Sequence, residues 1–192
     1  MDNSSIDSNT KLKIFNALIS FVDEKAIYDV TVAELTRKIG INRGTFYLYF
    51  SDISDAILQI ETILTNKIVK VLETTNALHS GNGLELDMYK AITQSISKNR
   101  DAYMALLGVN GDQRFTNHLK QRLVPFIGSN GVIKTSKNSN IPVNFAEDFI
   151  INSIFNVVLF WITNNSEVPY EKVADIIYET RRLTPLEIAG AD

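Results

Sequence analysis

The sequence predicts an all-α protein with a small N-terminal helical domain, residues 1–53, and a larger C-terminal helical domain, residues 54–192. Three observations support this fold class. Apolar residues recur at helical spacing through most of the chain, helix-capping signals precede several of these stretches, and no stretch alternates apolar and polar residues as a half-buried strand does. Hydrophobic residues make up 45% of the 192 positions, which is enough for a buried core.

The composition excludes several classes of protein. The chain has no cysteine, so it cannot form a disulfide, a thiolate zinc site or an iron–sulfur cluster. Its formal net charge of -3 argues against a globally basic polyanion binder but is compatible with a local positive patch. The polar N-terminus lacks the positive flank and apolar run of a secretory signal. We therefore expect a cytoplasmic protein that needs no cofactor and no metal.

Three short helices are predicted in the first fifty residues. The first, residues 11–22, carries an apolar stripe. The second begins at Thr31, whose spacing from Glu34 is that of a capping box, and ends at Gly40, a residue suited to a left-handed helix end. Asn42 is suited to cap a third helix of about two turns, which is too short to persist without neighbours.

Six further helices are predicted in the C-terminal domain. Pro142 and Pro169 introduce the last two, because proline is favoured at helix starts. Residues 128–140 form a polar, glycine-containing loop that we expect to be mobile. The predicted helices cover about 54–78, 85–99, 101–108, 113–127, 145–164 and 169–182.

The most apolar stretch is Phe149 to Ile162. It contains Asn152, Ser153 and Asn156, and it is shorter than the roughly 20 apolar residues that a bilayer span needs. We interpret it as a buried helix of a soluble protein and expect no membrane association.

The second and third helices have the spacing of a helix-turn-helix DNA-binding unit. A helix turns about 100° per residue, so Phe46 and Phe50 share an arc that faces the core, whereas Arg43, Gly44 and Tyr47 share the adjoining arc. Arginine can pair with guanine or phosphate, glycine permits close backbone approach, and the tyrosine hydroxyl can reach a phosphate. Candidate DNA-binding residues are Thr31, Arg37, Lys38, Asn42, Arg43, Gly44, Thr45, Tyr47 and Tyr49.

Charge around this segment is locally positive. Residues 36–50 contain Arg37, Lys38 and Arg43 and no acidic residue, which gives +3 inside an acidic protein. The pattern leaves open whether Arg37 and Lys38 contact phosphates or are simply solvated surface residues.

Residues 30–50, VTVAELTRKIGINRGTFYLYF, resemble the DNA-binding segment of the TetR family of bacterial transcription regulators. The resemblance spans about residues 10–57 and rests on a threonine cap, a glycine turn, a Gly-Thr pair and a Tyr-x-Tyr-Phe ending. It implies a homodimeric regulator of a palindromic double-stranded operator, most often a repressor that a small-molecule effector releases. Ile53 departs from the family pattern, which usually has a phosphate-contacting lysine there.

The C-terminal half carries a second resemblance. Residues 103–123 and 160–177 resemble TetR-like proteins related to dihydroxyacetone kinase operon regulators, which include repressors, activators and regulators that work with a protein partner. A pocket for the effector is predicted at Tyr103, Leu107, Phe149, Phe155 and Trp161. A four-helix dimer interface is predicted at Ile154, Phe160, Val173, Ile176 and Ile177.

Two other classes of function were weighed. An enzyme is disfavoured because the chain has two histidines, neither in a metal-ligand spacing, and because it has no phosphate loop or nucleophile elbow. A helical adaptor or co-regulator that has the fold but does not bind DNA itself stays open because Ile53 replaces the usual lysine. An activator, or a regulator that works with a protein partner, stays open because the subgroup resemblance includes such members.

Overall fold

The computed structural model describes residues 3–78, 84–126, 140–164 and 167–190. Within those ranges the chain forms α-helices and two single-turn 3-10 helices, with no β-strand, so the all-α fold class is confirmed. The 3-10 helices are Ile27–Asp29 and Val124–Phe126. The α-helices are α1 Asn3–Ser20, α2 Val32–Ile39, α3 Arg43–Tyr47, α4 Ile53–Leu78, α5 Leu84–Ser97, α6 Arg100–Leu107, α7 Gln113–Leu123, α8 Val143–Thr163, α9 Tyr170–Thr180 and α10 Pro185–Ile188.

Several elements differ from the sequence prediction; α7, for example, ends at Leu123 instead of about residue 127. The first helix begins at Asn3 instead of residue 11, and a short tenth helix follows α9. That last helix has its own capping box, in which Thr184 and Glu187 each accept a backbone hydrogen bond from the other, and Pro185 occupies its first turn. The predicted mobile loop, residues 128–140, lies outside the described residues except for Asn140.

One compact unit, unit 1, comprises residues 1–64 together with 101–116. It therefore contains the predicted N-terminal domain and also the first part of α4, all but the first residue of α6, and the turn between α6 and α7. We call residues 108–112 the α6–α7 corner. The core of unit 1 contains fully buried apolar side chains from α1, α2, α3, α4 and α6, including Leu18, Leu35, Phe46, Ile57 and Leu106.

The second compact unit, unit 2, comprises residues 65–100 and 117–192. In unit 2, α9 packs against both α5 and α8. Arg100 donates to the backbone oxygen of Trp161 at 2.7 Å and lies 5.0 Å from the centre of its ring. This contact satisfies a carbonyl group in the last turn of α8, where no intrahelical donor is available.

The two sides of α8 differ in exposure. Ile151, Phe155 and Ile162 are buried, whereas Phe145, Phe149 and Phe160 are 67%, 75% and 66% exposed. In the described part of the chain, α8 is the one helix long and apolar enough to cross a membrane, and 28% of its most apolar window is buried. The sequence predicts a buried helix, but the described residues cover only one side of it. We call Phe145, Phe149 and Phe160 the phenylalanine stripe.

Candidate DNA-binding site

The second helix begins with a complete capping box. The Thr31 hydroxyl accepts the Glu34 N–H at 3.2 Å, and the Glu34 carboxylate accepts the Thr31 N–H at 2.9 Å and its hydroxyl at 2.7 Å. Hydrogen bonds from Lys25 and then Thr31 lower the pKa of Glu34 to about 2. The predicted DNA-binding residue Thr31 is thus a cap, and its hydroxyl already has a partner.

The turn between α2 and α3 depends on Gly40. Its φ of 70° lies in the left-handed region, where a side chain would be strained, and its N–H donates to the Thr36 oxygen. The next N–H, from Ile41, donates to the same oxygen at 3.0 Å. The turn therefore ends α2 at Ile39 and lets α3 begin at Arg43.

Asn42 caps α3. Its side-chain oxygen accepts the Thr45 N–H at 2.7 Å and the Thr45 hydroxyl at 3.1 Å. A Cβ atom added at Gly44 would lie 3.1 Å from that same oxygen, which is a tight contact. The predicted residues Asn42, Gly44 and Thr45 thus form one local arrangement at the start of the helix.

The buried side of α3 fixes the helix to unit 1. Phe46 is fully buried and Phe50 is 2% exposed. The Phe50 ring centre lies 5.5 Å from that of Phe15 in α1 and 5.6 Å from that of Phe46. The predicted core role of both phenylalanines is confirmed, and the aromatic cluster explains how a five-residue helix holds one orientation.

The opposite side of α3 is open to solvent. Arg43 and Gly44 are exposed, Tyr47 is 56% exposed and Leu48 is 80% exposed. We call these four residues the reading face. Leu48 was not among the predicted DNA-binding residues, although its i+4 spacing from Gly44 places it on the same side of the helix. An exposed leucine beside an arginine and a tyrosine suits contact with a thymine methyl group.

The two basic residues of α2 differ. Arg37 is exposed, whereas the Lys38 ammonium lies 3.4 Å from the Glu24 carboxylate and 4.1 Å from the centre of the Phe21 ring. The partners of Lys38 belong to the segment at the end of α1. Arg37 is therefore the better candidate for a phosphate contact, and Lys38 has a structural alternative.

The end of the motif also departs from the family pattern. Tyr49 is half-buried, with the Lys11 ammonium 5.9 Å from its ring centre. Ile53 is 8% exposed and belongs to the core, and Asp52 caps α4 by accepting the Asp55 N–H at 2.8 Å. The start of α4 therefore presents no lysine side chain at this position.

The predicted pocket residues do not share one environment. Tyr103 is buried in unit 1, where its hydroxyl donates to the Leu64 oxygen at 2.9 Å and burial raises its pKa above the usual range. Leu107 is half-buried in the same unit. In unit 2, Phe155 and Trp161 are buried, whereas Phe149 is exposed. Phe149 belongs to the phenylalanine stripe, so it does not line an internal cavity with Phe155.

The predicted interface residues divide in the same way. Phe160 is exposed, and Ile154 and Ile176 are half-buried. Val173 and Ile177, however, are 2% and 1% exposed within unit 2. A side chain that its own chain already covers has little surface to offer a partner, so these two residues contribute to the core of unit 2, and their place in an interface stays a prediction.

Comparison with known proteins identifies the family. Residues 86–182, half of the chain, match the family model of a TetR-type transcriptional regulator C-terminal region. No curated protein sequence is significantly similar to the chain.

Three solved structures share the fold at low sequence identity. A TetR-family transcriptional regulator from Syntrophomonas wolfei is 16% identical, with a TM-score of 0.71 over 91% of this chain and 94% of that one. A TetR regulator from Streptococcus agalactiae is 17% identical, with a TM-score of 0.67 over 92% and 96%. The fatty acid degradation regulator FadR from Bacillus halodurans is 13% identical, with a TM-score of 0.62 over 88% and 92%. The chain therefore belongs to the TetR family and is a DNA-binding transcriptional regulator, a class whose members are not enzymes.

Proposed function

We propose that the chain acts as a homodimer that binds a palindromic operator through two copies of α3 and represses transcription until a small-molecule effector releases it. The proposal rests on one observation: unit 1 has an exposed reading face, and unit 2 has an exposed phenylalanine stripe. A single helix-turn-helix contacts only a few base pairs, and a twofold dimer doubles that number.

The chemistry of the reading face supports sequence-specific binding. Arg43 can donate two parallel hydrogen bonds to guanine, a contact worth about 1–3 kcal/mol of discrimination. The Tyr47 hydroxyl can reach a phosphate, and Gly44 leaves the backbone accessible. We propose Leu48 as a thymine contact, because its exposed apolar surface has no other evident role.

The phenylalanine stripe supports the dimer. Phe145, Phe149 and Phe160 lie within about 60° of arc on one side of α8, given about 100° per residue. Exposed aromatic residues at this density are typical of the centre of a protein interface. Packing the stripe against its symmetry mate would cover the apolar surface that the single chain leaves open. TetR-family regulators typically act as dimers.

The proposal that a small molecule controls operator binding comes from the resemblance of residues 30–50 to TetR-family regulators. Membership of the subgroup related to dihydroxyacetone kinase operon regulators, which residues 103–123 and 160–177 resemble, is also a proposal. The alternative is an activator or a co-regulator that works with a protein partner. The buried position of Ile53 supports the co-regulator, because one phosphate contact typical of the family is missing.

The test combines DNA selection with light scattering. Sequences enriched from random duplex DNA should be palindromic, and the protein should be a dimer at micromolar concentration. Arg43→Ala should weaken binding to the selected operator roughly tenfold or more, given the energy of one guanine pair. Arg122→Ala removes an exposed arginine of unit 2 and serves as the charge-matched control, which should bind normally. Enrichment of no sequence, or equal binding by both variants, contradicts the proposal.

The tests for an effector and for activation use the operator selected in that experiment. A metabolite screen should find a compound that lowers operator affinity and raises the melting temperature. Stimulation of transcription from the operator by the bound protein would favour the activator.

A further inference from the structure

The α6–α7 corner is hydrogen-bonded to the segment that precedes α2 and α3. The Ile27 N–H donates to the Asn110 oxygen at 2.9 Å, and the Asn110 side-chain nitrogen donates to the Val22 oxygen at 2.8 Å. The Tyr28 hydroxyl donates to the Asp112 carboxylate. All of these residues belong to unit 1. The corner is therefore hydrogen-bonded to the segment between α1 and α2, which leads into the helix-turn-helix.

A second carboxyl group, that of Glu61, lies close enough to Asp112 to interact with it. Glu61 of α4 is 5% exposed, and Asp112 is 6% exposed. The Glu61 Oε1 atom is the one buried side-chain oxygen in the described part of the chain that has no hydrogen-bond partner. Two neighbouring carboxylates can only accept hydrogen bonds, so neither can satisfy the other unless one of them carries a proton.

The surrounding groups decide which carboxyl carries the proton. Asp112 accepts the Tyr28 hydroxyl, the Arg114 N–H at 2.8 Å and the Arg114 guanidinium at 3.3 Å. Although burial opposes it, these donors hold the pKa of Asp112 below its usual value. Burial, followed by the hydrogen bond and the charge of Asp112, raises the pKa of Glu61 to about 7, with Arg114 opposing the rise.

We infer that Glu61 and Asp112 share one proton, and that this proton holds the α6–α7 corner against the helix-turn-helix unit. With the proton bound, Glu61 donates to the Asp112 carboxylate and the buried junction carries one negative charge beside Arg114. Without it, two buried carboxylates repel each other, and the corner loosens from Ile27 and Tyr28. The attachment of the α6–α7 corner to the segment before α2 thus depends on pH near neutrality.

The direction of the effect follows from linkage. The Glu61 pKa is raised from 4.5 to about 7 in the folded protein, so the folded state binds the proton more tightly than the unfolded chain does. The stabilisation is complete below about pH 4.5, decreases as the pH rises, and is lost above pH 7. Across this window the facing groups keep their protonation states: Tyr28 stays neutral because its pKa is raised to about 12, Asp112 stays ionised because its pKa is lowered, and Arg114 stays charged because its pKa is raised.

The test measures the proton and the corner separately in the full chain. A carbon-13 NMR titration of the glutamate carboxyl groups should place the Glu61 midpoint near neutrality. Amide hydrogen exchange, corrected for intrinsic rates, should show that protection of Ile27 and Asp112 falls about tenfold or more between pH 6 and pH 8.5, since one pKa unit corresponds to a factor of ten.

Two variants complete the design. Glu61→Gln keeps a donor toward Asp112 but cannot titrate, so protection should not change with pH. Glu73→Gln alters an exposed glutamate of the same helix and should behave as wild type. A Glu61 midpoint below pH 5, or protection of Ile27 that does not change with pH in the wild type, overturns the inference. The wild-type titration decides the question even if Glu61→Gln fails to fold.

Discussion

Asn42 and Thr45 are joined by two hydrogen bonds across the first turn of α3, one to the Thr45 N–H at 2.7 Å and one to its hydroxyl at 3.1 Å. A helix of five residues is not stable by itself, because the free-energy cost of nucleating it exceeds the stabilisation from so few backbone hydrogen bonds. The cap and the buried phenylalanines together determine where the reading face lies.

Removing the cap should therefore affect both stability and DNA binding. Asn42→Ala should cost about 0.5–2 kcal/mol of unfolding free energy, because the Thr45 N–H loses its acceptor. Asn42→Asp keeps the acceptor but adds a negative charge beside the operator, so it should retain stability and lose affinity. Urea unfolding and operator binding of the two variants give the comparison. A stable Asn42→Ala protein would show that the cap is dispensable.

Core and interface residues should respond differently. Ile177→Ala should lower the unfolding free energy by about 2–5 kcal/mol, because it leaves a cavity in unit 2. The dimer dissociation constant should hardly change, since Ile177 is 1% exposed within its own chain. Analytical ultracentrifugation and thermal unfolding separate the two effects. A monomeric Ile177→Ala protein of normal stability would return this residue to the interface.

The phenylalanine stripe should control association. Phe160→Glu should give a folded monomer with weak operator binding, because burying an unpaired charge in the interface is costly. Leu58→Glu introduces the same charge at a 55% exposed site on α4 and should leave the dimer intact. Light scattering at micromolar concentration reads out both proteins. Dimeric Phe160→Glu would exclude the stripe as the interface.

The capping box of α2 should contribute to acid stability. The Glu34 pKa is lowered to about 2 in the folded protein, so its contribution is present above about pH 4.5 and is lost as the pH falls toward 2. Glu34→Gln should therefore be less stable than wild type at neutral pH, and the difference should shrink at acid pH. Melting temperatures between pH 2.5 and pH 7 test this. A difference that stays constant would assign the effect to something other than the Glu34 charge.

Local signals in the sequence were sufficient for the helix-turn-helix. Thr31, Gly40 and Asn42 act on residues within one helical turn, so their caps and the left-handed turn were predictable from neighbouring residues alone. The core role of Phe46 and Phe50 followed from the helical repeat. The short α10 was missed even though Thr184 and Glu187 have the same capping-box spacing as α2.

The sequence could not predict which apolar side chains of α8 and α9 the tertiary structure buries. The stripes of α8 and α9 are similarly apolar, and periodicity cannot say which one faces its own chain. Val173 and Ile177 of α9, which packs against α5 and α8, are buried, whereas Phe149 of α8 is 75% exposed among the described residues. The junction of Glu61 with Asp112 joins residues 51 positions apart, so no local pattern could reveal it.

The buried isoleucine at position 53 has a consequence for how operator binding responds to ionic strength. Each phosphate that a protein neutralises releases condensed counterions, and this contributes about -0.9 to the slope of log affinity against log salt. A dimer that lacks this lysine in both of its helix-turn-helix units has two fewer such contacts. Its affinity should fall less steeply with salt than that of a lysine-bearing relative, by about 1.8 in the slope. Occupancy of its operator should therefore persist better when the salt concentration around the DNA rises.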